Sequence, residues 1–278
     1  MGDPALVLRP HLAAAVDAAH PHDGGGDAEA AGVVEHVLVG RPFADAVGRV
    51  EVERAVLADV EFRLEGERYE PADRAVREFG IAETRPLDFH TPYGCSKGAA
   101  DQYVLDYARS FDLPTAVVRM SCIYGQRQMG TEDQGWVAHF LIRALEGAPI
   151  TLYGDGCQVR DILDVRDAVD AYMAALDRID TIKGRAFNLG GGPANAVSLR
   201  QLIAHIGAVT GRAPDLRFDD WRAGDQRYFV ADTRLVREIL DLPTARDWRT
   251  GVAELAAWLA EERGLDLSGA PQRLRVPA

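Results

Sequence analysis

Tyr93 and Lys97 lie four residues apart in the segment PYGCSKGA, residues 92–99. On a helix this spacing places both side chains on one face. An ammonium group beside a phenol stabilises the phenolate, so the pKa of such a tyrosine falls from about 10 toward neutrality. The pair could then remove a proton from a sugar hydroxyl and return it. The same spacing also fits the alternative of an exposed helix lysine beside a half-buried tyrosine.

The scarcity of lysine favours the chemical interpretation of this motif. The chain has 31 lysines and arginines, and only Lys97 and Lys183 among them are lysines. An arginine at position 97 would keep the positive charge but would not act as the same compact donor. The proton-transfer chemistry would therefore explain why this position carries a lysine in a chain whose other basic residues are almost all arginine.

Strands and helices alternate along the chain and must position the motif. Apolar residues at helical spacing indicate a helix over 96–111, and the β-branched run TAVVRM indicates a strand over 115–120. Asp164 and Ser198 are predicted N-caps of the helices that follow them. Further helices are predicted over 136–145, 165–176, 199–210, 232–240 and 250–262, and further strands over 150–153 and 185–189. This alternation predicts an α/β protein with a parallel sheet.

Charge and composition argue against several classes of protein. The 278-residue chain has a formal net charge of −12, which disfavours binding to nucleic acid or to an anionic membrane surface. Its apolar runs are shorter than the roughly 18–20 residues of a membrane span, and its N-terminus lacks a signal-peptide pattern. Cys95, Cys122 and Cys157 form no CxxC pair, so we predict a cytoplasmic protein with reduced thiols. His20 and His22 have no second ligand cluster at finger spacing, so we predict no metal site.

Residues 1–60 have an anomalous composition. After Met1, every residue except Phe43 can be encoded by a codon that begins with G or C. In a GC-rich gene, a shifted reading frame would produce such a restricted alphabet. We therefore hypothesise that this segment is partly out of frame or a remnant of a cofactor domain. The alternative is an Ala/Val/Asp-rich segment of ordinary origin.

Five ordered blocks of sequence resemble the extended short-chain dehydrogenase/reductases, or NAD-dependent epimerases/dehydratases. Within that family they are most similar to the CDP-paratose (CDP-tyvelose) 2-epimerase group. The resemblance covers roughly residues 62–262. The blocks are RPLDFHTPYGCSKGAADQYVLDYARSF (85–111), RMSCIYGQRQMGTEDQGWVAHF (119–140), YGDGCQVRDILDVRDAVDAY (153–172), FNLGGGPANAVSL (187–199) and WRAGDQRYFVADT (221–233).

The resemblance implies an NAD site on one side of the reaction centre. Tyr93 would be the catalytic acid/base, and Lys97 would hold the nicotinamide ribose while lowering the pKa of the tyrosine. The segment Ser121, Cys122 and Ile123 would follow the strand whose end faces the nicotinamide.

On the other side, the resemblance implies a site for a nucleotide-diphosphate sugar. Arg160 and Arg222 would clamp the diphosphate, as planar guanidinium groups do well. A surface ion pair with Asp161 or Asp225 is the alternative for each arginine, and Trp136 could be a plain core anchor. The implied substrate-side residues are Glu132, Gln134, Trp136, Arg160, Arg222 and Asp225.

Three features of the family are missing before Tyr93. They are the glycine-rich phosphate loop, an acidic residue for the adenosine ribose, and the catalytic Ser/Thr of an earlier strand. The predicted fold is therefore a Rossmann-like parallel sheet, incomplete at the N-terminus, with a smaller C-terminal α/β substrate domain. The predicted organisation is an anomalous segment over 1–60, a partial Rossmann-like domain over 61–149 and mostly substrate domain over 150–278.

The function predicted from these features is that of an NAD-dependent nucleotide-sugar epimerase acting at C2. Loss of the N-terminal phosphate loop would impair its turnover. A 4-epimerase or dehydratase is the alternative within the family. An inactive paralogue that binds a nucleotide sugar or a partner subunit is the alternative of another class. The resemblance also implies a homodimer formed through the helix that starts at the Tyr/Lys motif, with Ala99, Ala100 and Tyr103 on its face.

Overall fold

The computed structural model describes residues 61–89, 92–132, 134–222 and 224–265, together with the backbone of residues 36–39. The hypothesis about residues 1–60 therefore falls almost wholly outside the described residues, as do His20 and His22.

The described residues form the predicted alternation of strands and helices. The strands are β1 His36–Val39, β2 Phe62–Glu65, β3 Arg68–Pro71, β4 Thr115–Met120, β5 Cys122–Tyr124, β6 Ile150–Tyr153, β7 Val159–Asp164, β8 Ala186–Leu189, β9 Ala196–Ser198, β10 Leu216–Asp219 and β11 Tyr228–Phe229. The helices are α1 Arg74–Phe79, α2 Pro92–Phe111, α3 Trp136–Glu146, α4 Val165–Asp177, α5 Ile179–Ile182, α6 Leu199–Thr210, α7 Arg234–Leu240 and α8 Trp248–Arg263.

Parallel pairing dominates the sheets that carry the motifs. β4 pairs with β8, β5 and β11 each pair with β7, and β6 pairs with β10, all in parallel. β1 adds to the other edge of β4, β9 adds to β7, and β2 and β3 form a hairpin, all antiparallel. The prediction of an α/β fold with parallel strands is therefore confirmed.

Local sequence signals account for the helix boundaries. The Asp164 side chain accepts a hydrogen bond from the Arg166 amide at the start of α4, as predicted for an N-cap. Ser198 and Gln201 form a reciprocal capping box at the start of α6.

Some predicted ends were displaced by a few residues. α2 begins at Pro92, four residues before the prediction, because proline has no amide hydrogen to lose in a first turn. α8 begins at Trp248, two residues early, because Asp247 caps it. α7 begins at Arg234, two residues late.

Two apolar cores lie on the two faces of β5 and β7. One contains Ile162 and is closed by α3, α6 and α8. The other contains Leu163 and includes β4, β8, α4 and α7. Since successive side chains of a strand point to opposite faces, β7 runs between the cores and serves both. This central strand carries Arg160 and Asp161.

Among the described residues, none of the helices combines the length and apolar character that crossing a bilayer would require. The prediction of a cytoplasmic protein remains a prediction.

Candidate functional site

Tyr93 and Lys97 lie in the first turns of α2, both half-buried. Lys97 Nζ is 5.1 Å from the centroid of the Tyr93 ring, so the predicted shared face is present. The Phe89 ring packs on the same end of the helix, where a Cβ at Gly98 would come within 2.5 Å of it. Glycine at position 98 therefore lets the chain that leads into α2 lie directly on the Tyr/Lys turn.

A buried ion pair fixes α2 against β4. Arg119 Nε donates to Asp101 Oδ2 at 2.6 Å, and the Asp101 side chain is fully buried. Asp101 lies one turn after Lys97, and Arg119 lies two residues before Ser121. The pair therefore connects the Tyr/Lys helix to the predicted nicotinamide-facing segment. No local sequence pattern predicts this pair, because its partners lie 18 residues apart on different elements.

Ser121 occupies the junction of β4 and β5. Its amide donates to Leu189 O at 2.8 Å, and its hydroxyl donates to the Asp161 carboxylate, with an Oγ–Oδ1 distance of 2.5 Å. Cys122 is buried in β5 and Ile123 is half-buried. The segment predicted to lie on the cofactor side is Ser121–Ile123, and the hydroxyl of its first residue donates to a carboxylate of the protein.

Asp161 is a buried carboxylate that the sequence analysis considered only as a partner for an arginine. Its other oxygen, Oδ2, accepts from the Gly192 amide at 2.9 Å. Burial raises the pKa of Asp161 to about 6, against the opposing effect of its hydrogen bonds from Ser121 and Gly192. The local sequence RDILD, residues 160–164, does not single Asp161 out, because Arg160 and Asp164 are charged as well.

Arg160 is also buried, but its guanidinium lies on other partners. It donates to Asp225 Oδ1 at 2.8 Å and to the carbonyl oxygens of Gln226 at 2.6 Å and Val159 at 2.8 Å. The alternative ion pair with Asp225 is therefore present, but within the protein and not on its surface. The ion pair with Asp225 therefore fixes the guanidinium of Arg160, one of the two arginines predicted to bind the diphosphate.

Arg222 is held differently, by an aromatic ring. Its guanidinium carbon lies 4.0 Å from the centroid of the Tyr153 ring, and the Tyr153 hydroxyl donates to Glu132 Oε1 at 2.6 Å. The hydrogen bond to Glu132 raises the pKa of Tyr153, and the nearby Arg222 opposes this effect. The structure thus joins Glu132 and Arg222, two residues 90 positions apart, through a tyrosine that the sequence analysis had not placed in the site.

Gln134 and Trp136 complete the loop that begins at Glu132. Gln134 is exposed, and its carbonyl oxygen accepts from the Thr131 amide at 2.7 Å. Trp136 starts α3 and packs edge-on against Phe140, with the ring centroids 5.7 Å apart. Trp136 packs against the core that contains Ile162, which agrees with the alternative that this residue is a core anchor.

Among the described residues, no three His, Cys, Asp or Glu side chains form a group that could hold a metal ion.

Comparison with known proteins finds similarity to one family of enzymes. Residues 67–190 match the model of the NAD dependent epimerase/dehydratase family. CDP-paratose 2-epimerase of Salmonella typhi is 44% identical over 186 residues, which are 64% of this chain and 54% of that protein. Over these residues the chain is similar to members of the NAD-dependent epimerase/dehydratase family. This is a family of enzymes.

Further epimerases and dehydratases are similar to the same part of the chain. The dTDP-glucose 4,6-dehydratase of Streptomyces griseus is 33% identical over 65% of this chain and 53% of its own length. The solved UDP-glucose 4-epimerase of Thermotoga maritima, with UDP-glucose, has a TM-score of 0.61 at 27% identity, over 66% of this chain and 58% of that one. MoeE5 in complex with UDP-glucose and NAD has a TM-score of 0.61 at 28% identity, over 66% and 60%. The chain spans about half the length of the curated relatives it matches.

The described residues include two hydrogen-bond donors of the kind that an NAD ribose needs. The Tyr93 hydroxyl and the Lys97 ammonium are hydrogen-bond donors on one helix face, as ribose hydroxyls require. Residues 61–265 contain no glycines at the G-x-G-x-x-G spacing that cradles a dinucleotide pyrophosphate. The described residues therefore fit the nicotinamide–ribose end of NAD.

Proposed function

We propose that this protein is an NAD-dependent nucleotide-sugar epimerase that acts through a transient keto sugar. The observation that carries the proposal is the Tyr93–Lys97 pair, with Nζ 5.1 Å from the phenol ring at the start of α2. Oxidation of a sugar carbinol removes a proton, which Tyr93 accepts, and two electrons with the second hydrogen, which NAD⁺ accepts. The Lys97 ammonium stabilises the phenolate that must accept the proton.

Substrate binding is assigned to the opposite side, where two arginines are held in different ways. Arg160 is fixed by Asp225, so its position is set before a ligand arrives. Arg222 lies against the Tyr153 ring, with its guanidinium carbon 4.0 Å from the ring centroid, and it is less deeply buried than Arg160. A guanidinium group can donate two parallel hydrogen bonds to two oxygens of one phosphate, so Arg160 and Arg222 both suit a nucleoside diphosphate. Glu132, Gln134 and Trp136 would border the same site.

Inversion at C2 is the specific reaction proposed. Rotation of the keto sugar within the site, followed by its reduction on the opposite face, would give the epimer. The Glu132–Trp136 loop and the similarity to CDP-paratose 2-epimerase favour C2. The matches to a 4,6-dehydratase and a 4-epimerase support the alternative reaction at C4.

The test compares ligand binding with product formation. The purified chain is titrated calorimetrically with CDP, UDP and NAD⁺, and its absorbance at 260 nm reports cofactor that co-purifies. It is then incubated with CDP- and UDP-sugars, and the products are identified by NMR. An epimer at C2 supports the proposal, whereas a C4 epimer or a 4-keto-6-deoxy sugar assigns the alternative reaction. Binding of a nucleotide without NAD⁺ binding or any product would support an inactive binding subunit.

We also propose that α2 forms a homodimer interface. Tyr103 and Phe111 are 67% and 61% exposed on this helix, and Ala99 is exposed one turn before Tyr103. Such exposed aromatic side chains are typical of a surface that a partner covers. Light scattering of Tyr103→Glu against the unchanged chain tests this: a dimer that becomes a monomer supports the interface, and a monomeric unchanged chain contradicts it.

A further inference from the structure

The Asp161 carboxylate joins three segments of the chain that are distant in sequence. Oδ1 accepts from the Ser121 hydroxyl at 2.5 Å, at the junction of β4 and β5. Oδ2 accepts from the Gly192 amide at 2.9 Å, in the turn after β8. The backbone amide of Ala231 is a further donor to the same carboxylate. These partners are neutral, and Asp161 itself is fully buried.

The surroundings are shaped to the carboxylate. A Cβ at Gly190 would lie 2.1 Å from Asp161 Oδ2 and 3.0 Å from Ser121 Cβ. Glycine is therefore required at position 190 for the turn to approach the side chain so closely. Gly192, which donates to the carboxylate, has a φ of +66°, a backbone conformation that glycine adopts without strain.

An apolar side chain could fill this space at lower cost, because burying a carboxylate among neutral donors is unfavourable. Its presence therefore indicates a need for directed hydrogen bonds. The bonds reach Ser121, which lies between the end of β4 and the start of β5, and the turn that follows β8, the strand that pairs with β4. Together with the backbone bond from the Ser121 amide to Leu189 O, they fix these two strand ends at the predicted nicotinamide-facing segment.

We propose that Asp161 is a positioning residue that holds Ser121–Ile123 and the Gly190–Gly192 turn at one separation, and so places the surface on which the nicotinamide lies. This inference rests on the proposed function, because the placement matters only if the cofactor lies against that segment. Asp161 does not touch the cofactor in this scheme; it acts through Ser121.

The bonding pattern specifies which substitution should be tolerated. The Ser121 hydroxyl is also 2.7 Å from the main-chain oxygen of Asp161, so it can donate there instead. An asparagine at position 161 could then accept from the Gly192 amide and donate to Ser121 Oγ. Asp161→Asn can keep the links to Ser121 and to Gly192, with the Ser121 bond reversed in direction, whereas Asp161→Ala and Ser121→Ala each break the link between them.

The experiment measures local hydrogen exchange and NAD⁺ affinity in the full chain. Ser198→Ala is the matched control, because it also removes a buried serine hydroxyl that bonds the main chain, but at the cap of α6. We expect Ser121→Ala and Asp161→Ala to accelerate exchange in residues 119–124 and 190–192 about tenfold, as loss of a buried hydrogen bond allows. Their NAD⁺ affinity should fall about tenfold or more, and Asp161→Asn should restore both properties.

The outcomes separate this inference from the proposed function. If the unchanged chain binds NAD⁺ and Ser121→Ala binds it equally well, the positioning role is wrong and the proposed function stands. Equal exchange in Ser121→Ala and Ser198→Ala would also overturn the role, as would an Asp161→Asn variant no better than Asp161→Ala. If the unchanged chain binds no NAD⁺, the proposed function fails and the inference fails with it. Should Asp161→Ala not fold, Ser121→Ala against Ser198→Ala still decides.

Discussion

The two sides of the candidate site differ in what the described residues supply. On the nucleotide side, Arg160 and Arg222 are present together with Asp225 and Tyr153, the groups that hold them. On the cofactor side, Tyr93 and Lys97 are present, but residues 61–265 contain no phosphate loop. Because of this difference, we expect nucleotide binding and NAD⁺ binding to be separable experimentally. Nucleotide binding should depend on the described residues alone, whereas NAD⁺ binding should depend on more of the chain.

The largest effect is expected at the cofactor side. Tyr93→Phe removes the hydroxyl that exchanges the proton, so turnover should fall about 10²–10⁴-fold, the usual contribution of a general acid/base. Affinity for the nucleotide should not change, because the arginines lie elsewhere. Steady-state kinetics and calorimetry measure the two effects. Tyr107→Phe on the same helix is the control, and Tyr93→Phe turnover within threefold of the unchanged chain would contradict the assignment.

On the nucleotide side, the next largest effect is expected at Arg160. Arg160→Ala removes the buried ion pair with Asp225 and the hydrogen bonds to two carbonyl oxygens, so the free energy of unfolding should fall by about 3–5 kcal/mol. Urea denaturation measures it. Arg109→Ala, at an exposed pair on α2, should change stability by less than about 0.5 kcal/mol. A loss at Arg160 no larger than the loss at Arg109 would show that the buried pair does not hold the nucleotide side together.

The third effect is on the pH dependence of stability, and it is expected at Asp161 in β7. The pKa of Asp161 is raised from 3.8 to about 6 by burial, so the folded state binds its proton more tightly than the unfolded state. The contribution of Asp161 to stability is therefore present below pH 4 and is lost as the pH rises toward 6. Asp161→Asn should remove this fall, and should gain stability relative to the unchanged chain between pH 4 and 7.

Asp164 on the same strand provides a control of opposite sign. Burial raises the pKa of Asp164, but the hydrogen bonds from Arg166 outweigh burial and hold it below its usual value. Its contribution is present above pH 4 and is lost as the pH falls, so Asp164→Asn should lose stability relative to the unchanged chain as the pH rises. Denaturation curves from pH 2 to pH 7 compare the two variants, because the Asp164 contribution changes below pH 4 and the Asp161 contribution changes between pH 4 and 6. Parallel pH dependence in both would refute the distinction.

The smallest effect is expected at Arg222. Arg222→Ala should weaken binding of CDP or UDP about tenfold, as loss of a charge-assisted phosphate contact does, and should leave stability within about 1 kcal/mol. Calorimetry and urea denaturation check both values. If Arg222→Ala destabilises the fold as much as Arg160→Ala, the two arginines are not held in the different ways described above.

The sequence predicted the elements better than the contacts between them. The β-branched run at 115–120 and the capping residue Ser198 act locally, so β4 and α6 were predicted to the residue. Asp247 is an equally local signal at the start of α8, but the sequence analysis overlooked it.

In the site, spacing along one helix was enough to pair Tyr93 with Lys97. The contact between Arg222 and Tyr153 joins residues 69 positions apart, and that between Ser121 and Asp161 joins residues 40 apart. Such contacts depend on how strands are ordered in space, which no local pattern records.

The neighbouring positions of Arg160 and Asp161 have a consequence for how β7 folds. A slip of one residue in strand pairing would exchange the faces of every side chain. Arg160 would then enter the space beside Gly190, where a carboxylate oxygen already leaves no room for a Cβ, and Asp161 would meet the like charge of Asp225. The shifted alignment is thus rejected by both size and charge. Single-residue insertions or deletions within 159–164 should therefore abolish folding, even where the inserted residue is apolar.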